Sequence, residues 1–130
     1  PAPAPAPALP APPVRYGGFI AGFAHYDGGE LLHRLYRGLV LRLVRDRHNP
    51  HDANAVRIFI GPHMLGYLPR GPNVEIARRL DCAEPIVCRI ERVNAESRPW
   101  KQVEICVESL SIARPWWGEG ELPGAADDPV

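Results

Sequence analysis

A polar segment between two alternating apolar segments constrains the fold of this 130-residue chain more than any other feature. The segment covers residues 45–56 and contains Asn49, Pro50 and Asp52. Asn and Asp side chains bond nearby backbone amides in tight turns, and Pro fixes one φ angle. We therefore predict a rigid corner between two strands. Loops that rest on such a scaffold often carry binding residues, so we look for function at this corner first.

Short alternating segments occur along most of the chain, and period-2 alternation predicts β-strands. We predict strands at residues 18–26, 39–44, 56–60, 64–68, 85–93 and 102–110. Gly71 and Pro72 begin a predicted helix that ends near Asp81, because Pro is favoured at the first helical position. Residues 30–38 fit either a helical turn or a broad loop.

The predicted fold is mainly β. Five or six strands with one helix, in about 100 residues, fit a small OB-like or SH3-like β-barrel, since closure of a barrel removes exposed strand edges. Outside the barrel, residues 1–13 alternate Pro with Ala and carry no charge, which predicts a disordered, extended arm. Residues 14–112 form the predicted barrel domain, and residues 113–130 are predicted to be a flexible acidic tail.

Composition and charge narrow the expected cellular compartment and the expected class of binding partner. The chain lacks a signal-peptide pattern and any run of about 18 apolar residues, so we expect a soluble cytoplasmic protein that does not cross a membrane. All 15 basic residues precede position 115 and four of the 15 acidic residues follow it, so the earlier part carries 15 − 11 = +4. A mildly basic body suits a polyanion. Because 14 of the 15 are arginines, GC-rich coding explains the excess equally well.

The three cysteines are not expected to form a disulfide. Alternation places Cys88 on the inner face of its strand and Cys106 on the outer face of the last strand. Reduced thiols are the simplest interpretation, and no CxxC or CxxH spacing supports a zinc site.

Three motifs occur in one order along the chain: GFAHYDG at 22–28, LRLVRD leading into NPHDANAV at 41–56, and GYLPR at 66–70. Together they resemble the HIRAN domain family over roughly residues 14–112. The resemblance implies a modified OB-like barrel. It also implies that the domain binds the free 3′ end of single-stranded DNA, as the domain of the characterised DNA-binding member does.

The resemblance further implies a set of nucleic-acid-binding residues at positions that match the family motifs: His25, Tyr26, His48, Asn49, His51, Asp52, Arg70 and Trp100. In this set an aromatic ring stacks on bases, the Asp52 carboxylate accepts a hydrogen bond from a terminal 3′-hydroxyl, and Arg70 pairs with a phosphate. The chain departs from the DNA-binding member at five positions, among them His48 in place of asparagine and Arg70 in place of lysine. Ala24 stands where that relative has arginine, and His25 and His51 stand where it has tyrosine.

Each candidate also has a structural alternative. Asn49 and Asp52 can simply cap the turn at the corner. Tyr26 and Tyr67 can pack at the rim of the barrel, and Trp100 can cover the end of the barrel. Arg70 can be an ordinary solvated charge.

Three functions remain open at this point. We predict a non-enzymatic module without cofactor or metal that binds single-stranded nucleic acid, most specifically single-stranded DNA with a free 3′ end; a DNA-processing protein is a second candidate partner. The first alternative is a protein-interaction adaptor that has lost DNA binding. A metal-dependent hydrolase built on His25, His48, His51 and Asp52 is the third, although the HxxH spacing lies in a turn rather than on a helix. The chain has neither a GxxxxGK[ST] nor a GxSxG motif.

Overall fold

The computed structural model describes residues 13–110, so the predicted arm, apart from Pro13, and the whole of the predicted tail lie outside the described residues. The described chain contains six strands: β1 (Arg15–Phe19), β2 (Val40–Arg45), β3 (Val56–Ile60), β4 (His63–Tyr67), β5 (Ile86–Val93) and β6 (Val103–Ser109). They form one antiparallel sheet in the order β1-β6-β5-β2-β3-β4. The predicted mainly β, OB-like fold is confirmed.

The sheet curls until its two edges meet. Just after β1, Ala21 forms an isolated bridge with Tyr67 at the end of β4, and their backbone N–H and C=O groups exchange hydrogen bonds of 2.8 and 2.9 Å. Gly66 makes this approach possible. A Cβ added there would lie 2.4 Å from the Ala21 carbonyl oxygen, and its φ of 149° is unfavourable for other residues. The result is a curled half-barrel.

The helices follow the sequence prediction. The helix α1 (Gly28–Leu31) is a single turn that continues into a 3-10 turn at Leu32–Arg34, so the first of the two alternatives for residues 30–38 is observed, followed by a short loop. The helix α2 (Pro72–Asp81) begins with Pro72 in its first turn, as predicted. Within residues 13–110, no helix has the length and apolar composition needed to cross a bilayer.

The predicted strand at residues 18–26 is wrong. The strand ends at Phe19, and Phe23–His25 form a 3-10 turn. Gly22 adopts a left-handed conformation, with φ of 73°, that turns the chain there. Phe23 is buried in the core, but it reaches the core from this turn and not from a pleated strand.

The inner face of the sheet is the core. The predicted inward set on β6, Val103, Ile105 and Val107, is buried, as are Cys88 and Ile90 on β5. Burial raises the pKa of the Cys88 thiol to about 12, which keeps this cysteine unreactive.

Cys106 occupies the outer face, where the alternation puts it, but it is not exposed. The Arg15 side chain lies over it, with Nε 3.4 Å from Sγ. Cys106 pairs in register with Gly17 and Arg89, whereas Cys88 pairs with Val107. All three cysteines are free thiols.

Candidate nucleic-acid interface

A cleft of about 350 Å³ opens beside the corner between β2 and β3. We call it the corner cleft and define it by six of its lining residues: Tyr26, Asn49, His51, Asp52, Tyr67 and Arg70. Five of the eight sequence-predicted site residues are among them. The bridge at the meeting edges of the sheet explains this gathering, because it brings the turn that follows β1 alongside the end of β4.

Asn49 builds the corner. Its Oδ1 accepts hydrogen bonds from the backbone N–H groups of His51, at 2.8 Å, and Asp52, at 3.1 Å. Its Nδ2 donates to Oδ2 of Asp46 at 3.1 Å. The turn-capping alternative is therefore observed for Asn49, and it positions the two residues that follow Pro50 at the cleft wall.

Asp52 is held from two sides. Its Oδ1 accepts a hydrogen bond from the Asn54 backbone N–H at 2.9 Å, and its Oδ2 accepts one from Nδ2 of Asn73 at 2.8 Å. These two donors, followed by the more distant Arg70 guanidinium, lower the pKa of the Asp52 carboxyl. The group is therefore ionised at neutral pH. A carboxylate has about four acceptor positions, so capacity remains for a ligand.

Arg70 lies at the mouth of the cleft. Its side chain is 70% exposed, with Nε 3.7 Å from Oδ2 of Asp52. Its Nη2 donates a hydrogen bond of 2.5 Å to the His51 backbone carbonyl. A phosphate that approached the cleft would compete for these N–H groups, because a guanidinium suits phosphate geometry.

Two tyrosines form the aromatic wall of the cleft. The rings of Tyr26 and Tyr67 meet edge to face, with centroids 6.0 Å apart and an interplanar angle of 62°. Tyr26 lines the cleft and is 40% exposed, so part of its side chain is accessible to a ligand. This arrangement provides a stacking surface backed by a second ring.

A largely buried acid, Asp46, holds the second tyrosine in place. Oδ2 of Asp46 accepts a hydrogen bond from the Tyr67 hydroxyl at 3.0 Å, and its Oδ1 lies 3.0 Å from the Arg57 guanidinium. The Asn49 amide, then Arg57 and Tyr67, lower the pKa of Asp46, while burial and then Asp46 raise the pKa of Tyr67. These contacts of Asp46 were not predicted from the sequence.

Three residues that support or line the cleft were not predicted as site residues, and their sequence signals differ: Asp46, Tyr67 and Asn73. Asp46 lies inside the second matched motif and Tyr67 inside the third, where Gly66 marks a close approach of two backbones. Asn73 had no usable signal, because its partner Asp52 is 21 residues away and an Asn near a helix start is typical of capping.

Three predicted site residues do not line the cleft. His48 is exposed on the corner, and His25 is exposed on its 3-10 turn. Trp100 is 55% exposed on the 3-10 turn at Pro99–Lys101, with the Arg98 guanidinium 5.6 Å from its ring centroid. The turn that carries Trp100 contacts the turn that carries His25, so these two residues lie on neighbouring segments.

Metal-ligating side chains do not gather in residues 13–110: no group of three or more His, Cys, Asp or Glu residues is placed there to hold an ion. His25, His48, His51 and Asp52 therefore do not form the metal cluster that the hydrolase alternative requires.

The HIRAN domain family model matches residues 14–109. The chain belongs to the HIRAN domain family. The resemblance inferred from the three motifs is thereby confirmed. HIRAN domains are known as nucleic-acid-binding modules and are generally non-catalytic.

Two crystal structures share the fold of this HIRAN domain. One is a Lactobacillus plantarum protein, a structural genomics target, with 19% identity and a TM-score of 0.63; the alignment covers 75% of this chain and 97% of that chain. The other is the HIRAN domain of human HLTF, with 18% identity and a TM-score of 0.59; it covers 73% of this chain and 74% of that one. No curated protein sequence matches the chain.

Proposed function

We propose that the corner cleft binds the 3′-terminal nucleotide of a single DNA strand. The observation that carries this proposal is the meeting of three groups in one cleft: an exposed ring at Tyr26, an ionised carboxylate at Asp52 and an exposed guanidinium at Arg70. Each group suits one part of a nucleotide. The ring suits the base, the carboxylate suits a terminal hydroxyl, and the guanidinium suits a phosphate within the strand.

End recognition follows from the charge of Asp52. A carboxylate accepts a hydrogen bond from a 3′-hydroxyl, whereas it repels a 3′-phosphate that carries negative charge of its own. Its Oδ atoms are already held by the Asn54 amide and Asn73. The carboxylate is therefore preorganised, and little ordering cost remains when a hydroxyl binds.

The strand would continue from the cleft onto the neighbouring turns. Tyr26 directly follows the 3-10 turn at Phe23–His25, which contacts the turn that carries Trp100. We place the next bases on His25 and the exposed Trp100 ring, since stacking on aromatic faces tolerates any base. His51 lies in the cleft wall beside Asp52, and His48 lies on the outside of the corner, where it adds a polar contact to the strand.

One observation favours the adaptor as a second candidate. Ala24 is exposed on the turn before Tyr26, at the position where the DNA-binding relative has an arginine. The turn offers no cation at this position, so we expect it to bind a phosphate more weakly than the turn of that relative does. A protein partner would then use the same exposed rings without needing the charged groups.

Fluorescence anisotropy separates the two candidates. A short 5′-labelled single strand ending in a 3′-hydroxyl should bind the full chain, and the same strand ending in a 3′-phosphate should bind several-fold more weakly. Affinity for both strands should fall as salt is added. Absence of binding to either strand at low salt would reject the DNA function and leave the adaptor.

A further inference from the structure

Asn73 is a buried polar residue that contacts the corner cleft from behind. It lies in the first turn of α2 and is 1% exposed. Because a carboxylate only accepts hydrogen bonds, the amide must present its Nδ2 group to Asp52, and it does so at 2.8 Å. A buried amide whose donor is aimed at a cleft residue must serve that residue, since an unpaired polar group in this position would be costly.

We propose that Asn73 is a positioning residue that determines the end specificity of the cleft. By donating to Oδ2 it fixes the orientation of the Asp52 carboxylate and keeps it charged, so that the cleft distinguishes a 3′-hydroxyl from a 3′-phosphate. This inference rests on the proposed function.

Asn73 differs from the other groups that surround Asp52. The corner contributes the Asn54 backbone N–H and, farther away, the Arg45 guanidinium, and the segment before α2 contributes Arg70. The backbone donor persists in every variant. The Arg70 contact is long, at 3.7 Å, and its side chain is 70% exposed, so solvent screens it. Asn73 is therefore the buried side chain on which the orientation and the ionisation of the Asp52 carboxylate depend.

The remaining neighbours do not replace that donor. His51 lies next to Asp52 in the cleft wall, and its backbone makes its hydrogen bonds: the N–H donates to Oδ1 of Asn49, and the carbonyl accepts from Arg70. Without the Asn73 amide, Oδ2 keeps only the long contact with Arg70. The carboxylate would then rotate more freely, and protonation would begin at a higher pH.

The specificity should change with that protonation. A charged Asp52 accepts from a hydroxyl and repels a phosphate, whereas a protonated Asp52 can donate to a phosphate oxygen. Preference for the 3′-hydroxyl strand should therefore disappear as pH falls through the pKa of this carboxyl. Loss of the Asn73 donor should move that disappearance to higher pH.

The test compares the wild-type chain with Asn73→Ala, using the 3′-hydroxyl and 3′-phosphate strands between about pH 2.5 and pH 7.5, because the wild-type pKa of Asp52 lies below its ordinary value. In the variant we expect the ratio of the two dissociation constants to fall several-fold at neutral pH. We also expect the midpoint at which the ratio is lost to move upward. A purely structural role would lower both affinities and leave the ratio and its midpoint unchanged.

Ser109→Ala is the matched control, because Ser109 is another buried polar residue that hydrogen-bonds elsewhere, to the Val14 backbone N–H at 3.0 Å. It should preserve the ratio at every pH. If circular dichroism shows that Asn73→Ala does not fold, Asn73→Leu, whose side chain has a similar size and cannot donate, should lose the preference instead.

The possible outcomes distinguish the two proposals. An Asn73 variant that folds and keeps the wild-type ratio and midpoint overturns this inference, and if Asp52→Asn loses the ratio the proposed function still stands. A wild-type chain that binds both strands equally overturns the proposed function and this inference together.

Discussion

Asp52 is the residue on which the proposed end recognition depends. Asp52→Asn keeps the size and an acceptor oxygen but removes the charge that repels a phosphate. We expect the preference for a 3′-hydroxyl strand over a 3′-phosphate strand to disappear, while the affinity for the phosphate strand rises. Anisotropy titrations of both strands measure this. A preference that persists in the variant would reject the role of Asp52.

The Tyr26 ring is the residue on which the base is expected to stack. Loss of one stacked base costs about 1–3 kcal/mol, so Tyr26→Ala should weaken binding roughly 5- to 150-fold without changing the preference between end groups. Tyr36→Ala is the matched control, since Tyr36 is 60% exposed and does not line the cleft. Equal effects of the two variants would contradict a specific stacking role.

The residues of the cleft could be predicted from the sequence only where they belong to a local motif. Asn49, His51 and Asp52 come from one motif, and the structure places all three in the cleft wall. His48 belongs to the same corner but lies outside the cleft, because tight turns direct neighbouring side chains in different directions. Asn73 reaches Asp52 across the fold, which no local pattern encodes.

At the scale of elements, α2 holds the corner at both of its ends. Its first turn donates to Asp52 through Asn73, and its last residue, Asp81, accepts from Arg45 and Arg47 at 3.0 and 2.9 Å. Arg45 also donates to the Ala55 backbone carbonyl at 2.7 Å. The segment between β2 and β3 is thus held against one helix, which explains how a loop rich in polar residues forms a defined wall of the cleft.

The approach of β4 to the turn after β1 depends on Gly66. In Gly66→Ala the new Cβ would meet the Ala21 carbonyl oxygen at 2.4 Å, at a φ of 149°. We expect the free energy of unfolding to fall by about 2 kcal/mol or more, and binding to weaken because the Tyr26 turn moves away from Tyr67. Chemical denaturation measures the first effect.

Gly29→Ala is the control for this element, because no heavy atom lies within 4 Å of a Cβ added there and its φ is not positive. It should be close to neutral. A Gly66 variant as stable as the Gly29 variant would show that the close approach of Ala21 is not needed to hold the two edges together.

The bounds of a strand or helix could be predicted closely where a local sequence pattern determines them. The observed bounds of β3 match residues 56–60, and those of β2, β4 and α2 lie within one residue of the prediction, because alternation and Pro72 are local signals. The first strand could not be predicted. Its end depends on the left-handed Gly22 and on a bridge between residues 21 and 67.

At the scale of the whole molecule, ion pairs neutralise much of the arginine charge in residues 13–110. Many arginines are paired with acids, among them Arg57 with Asp46 and Arg79 with Glu75 and Glu84. Among the arginines of residues 13–110, Arg70 alone lines the cleft. We therefore expect few phosphate contacts and a shallow dependence of affinity on salt, since each phosphate contact on a single strand contributes a slope of about 0.7.

The same ion pairs make the stability of the fold sensitive to acid. Hydrogen bonds and arginine partners lower the pKa values of Asp46, Asp52, Glu75 and Asp81 in the folded chain. A lowered folded-state pKa contributes stability that is present above the unfolded value and is lost as pH falls through the folded value. Tm should hold steady down to about pH 5 and fall below about pH 4. Thermal melts across this range measure it, and a Tm that stays constant to about pH 2.5 would contradict it.

The most direct measurement is a crystal structure of the chain bound to a short single DNA strand with a free 3′-hydroxyl. The proposal predicts the terminal base on the Tyr26 ring, the 3′ oxygen within hydrogen-bond distance of the Asp52 carboxylate, and a phosphate near Arg70. A strand bound on another face of the half-barrel, or one that presents its 5′ end to the corner cleft, would contradict it.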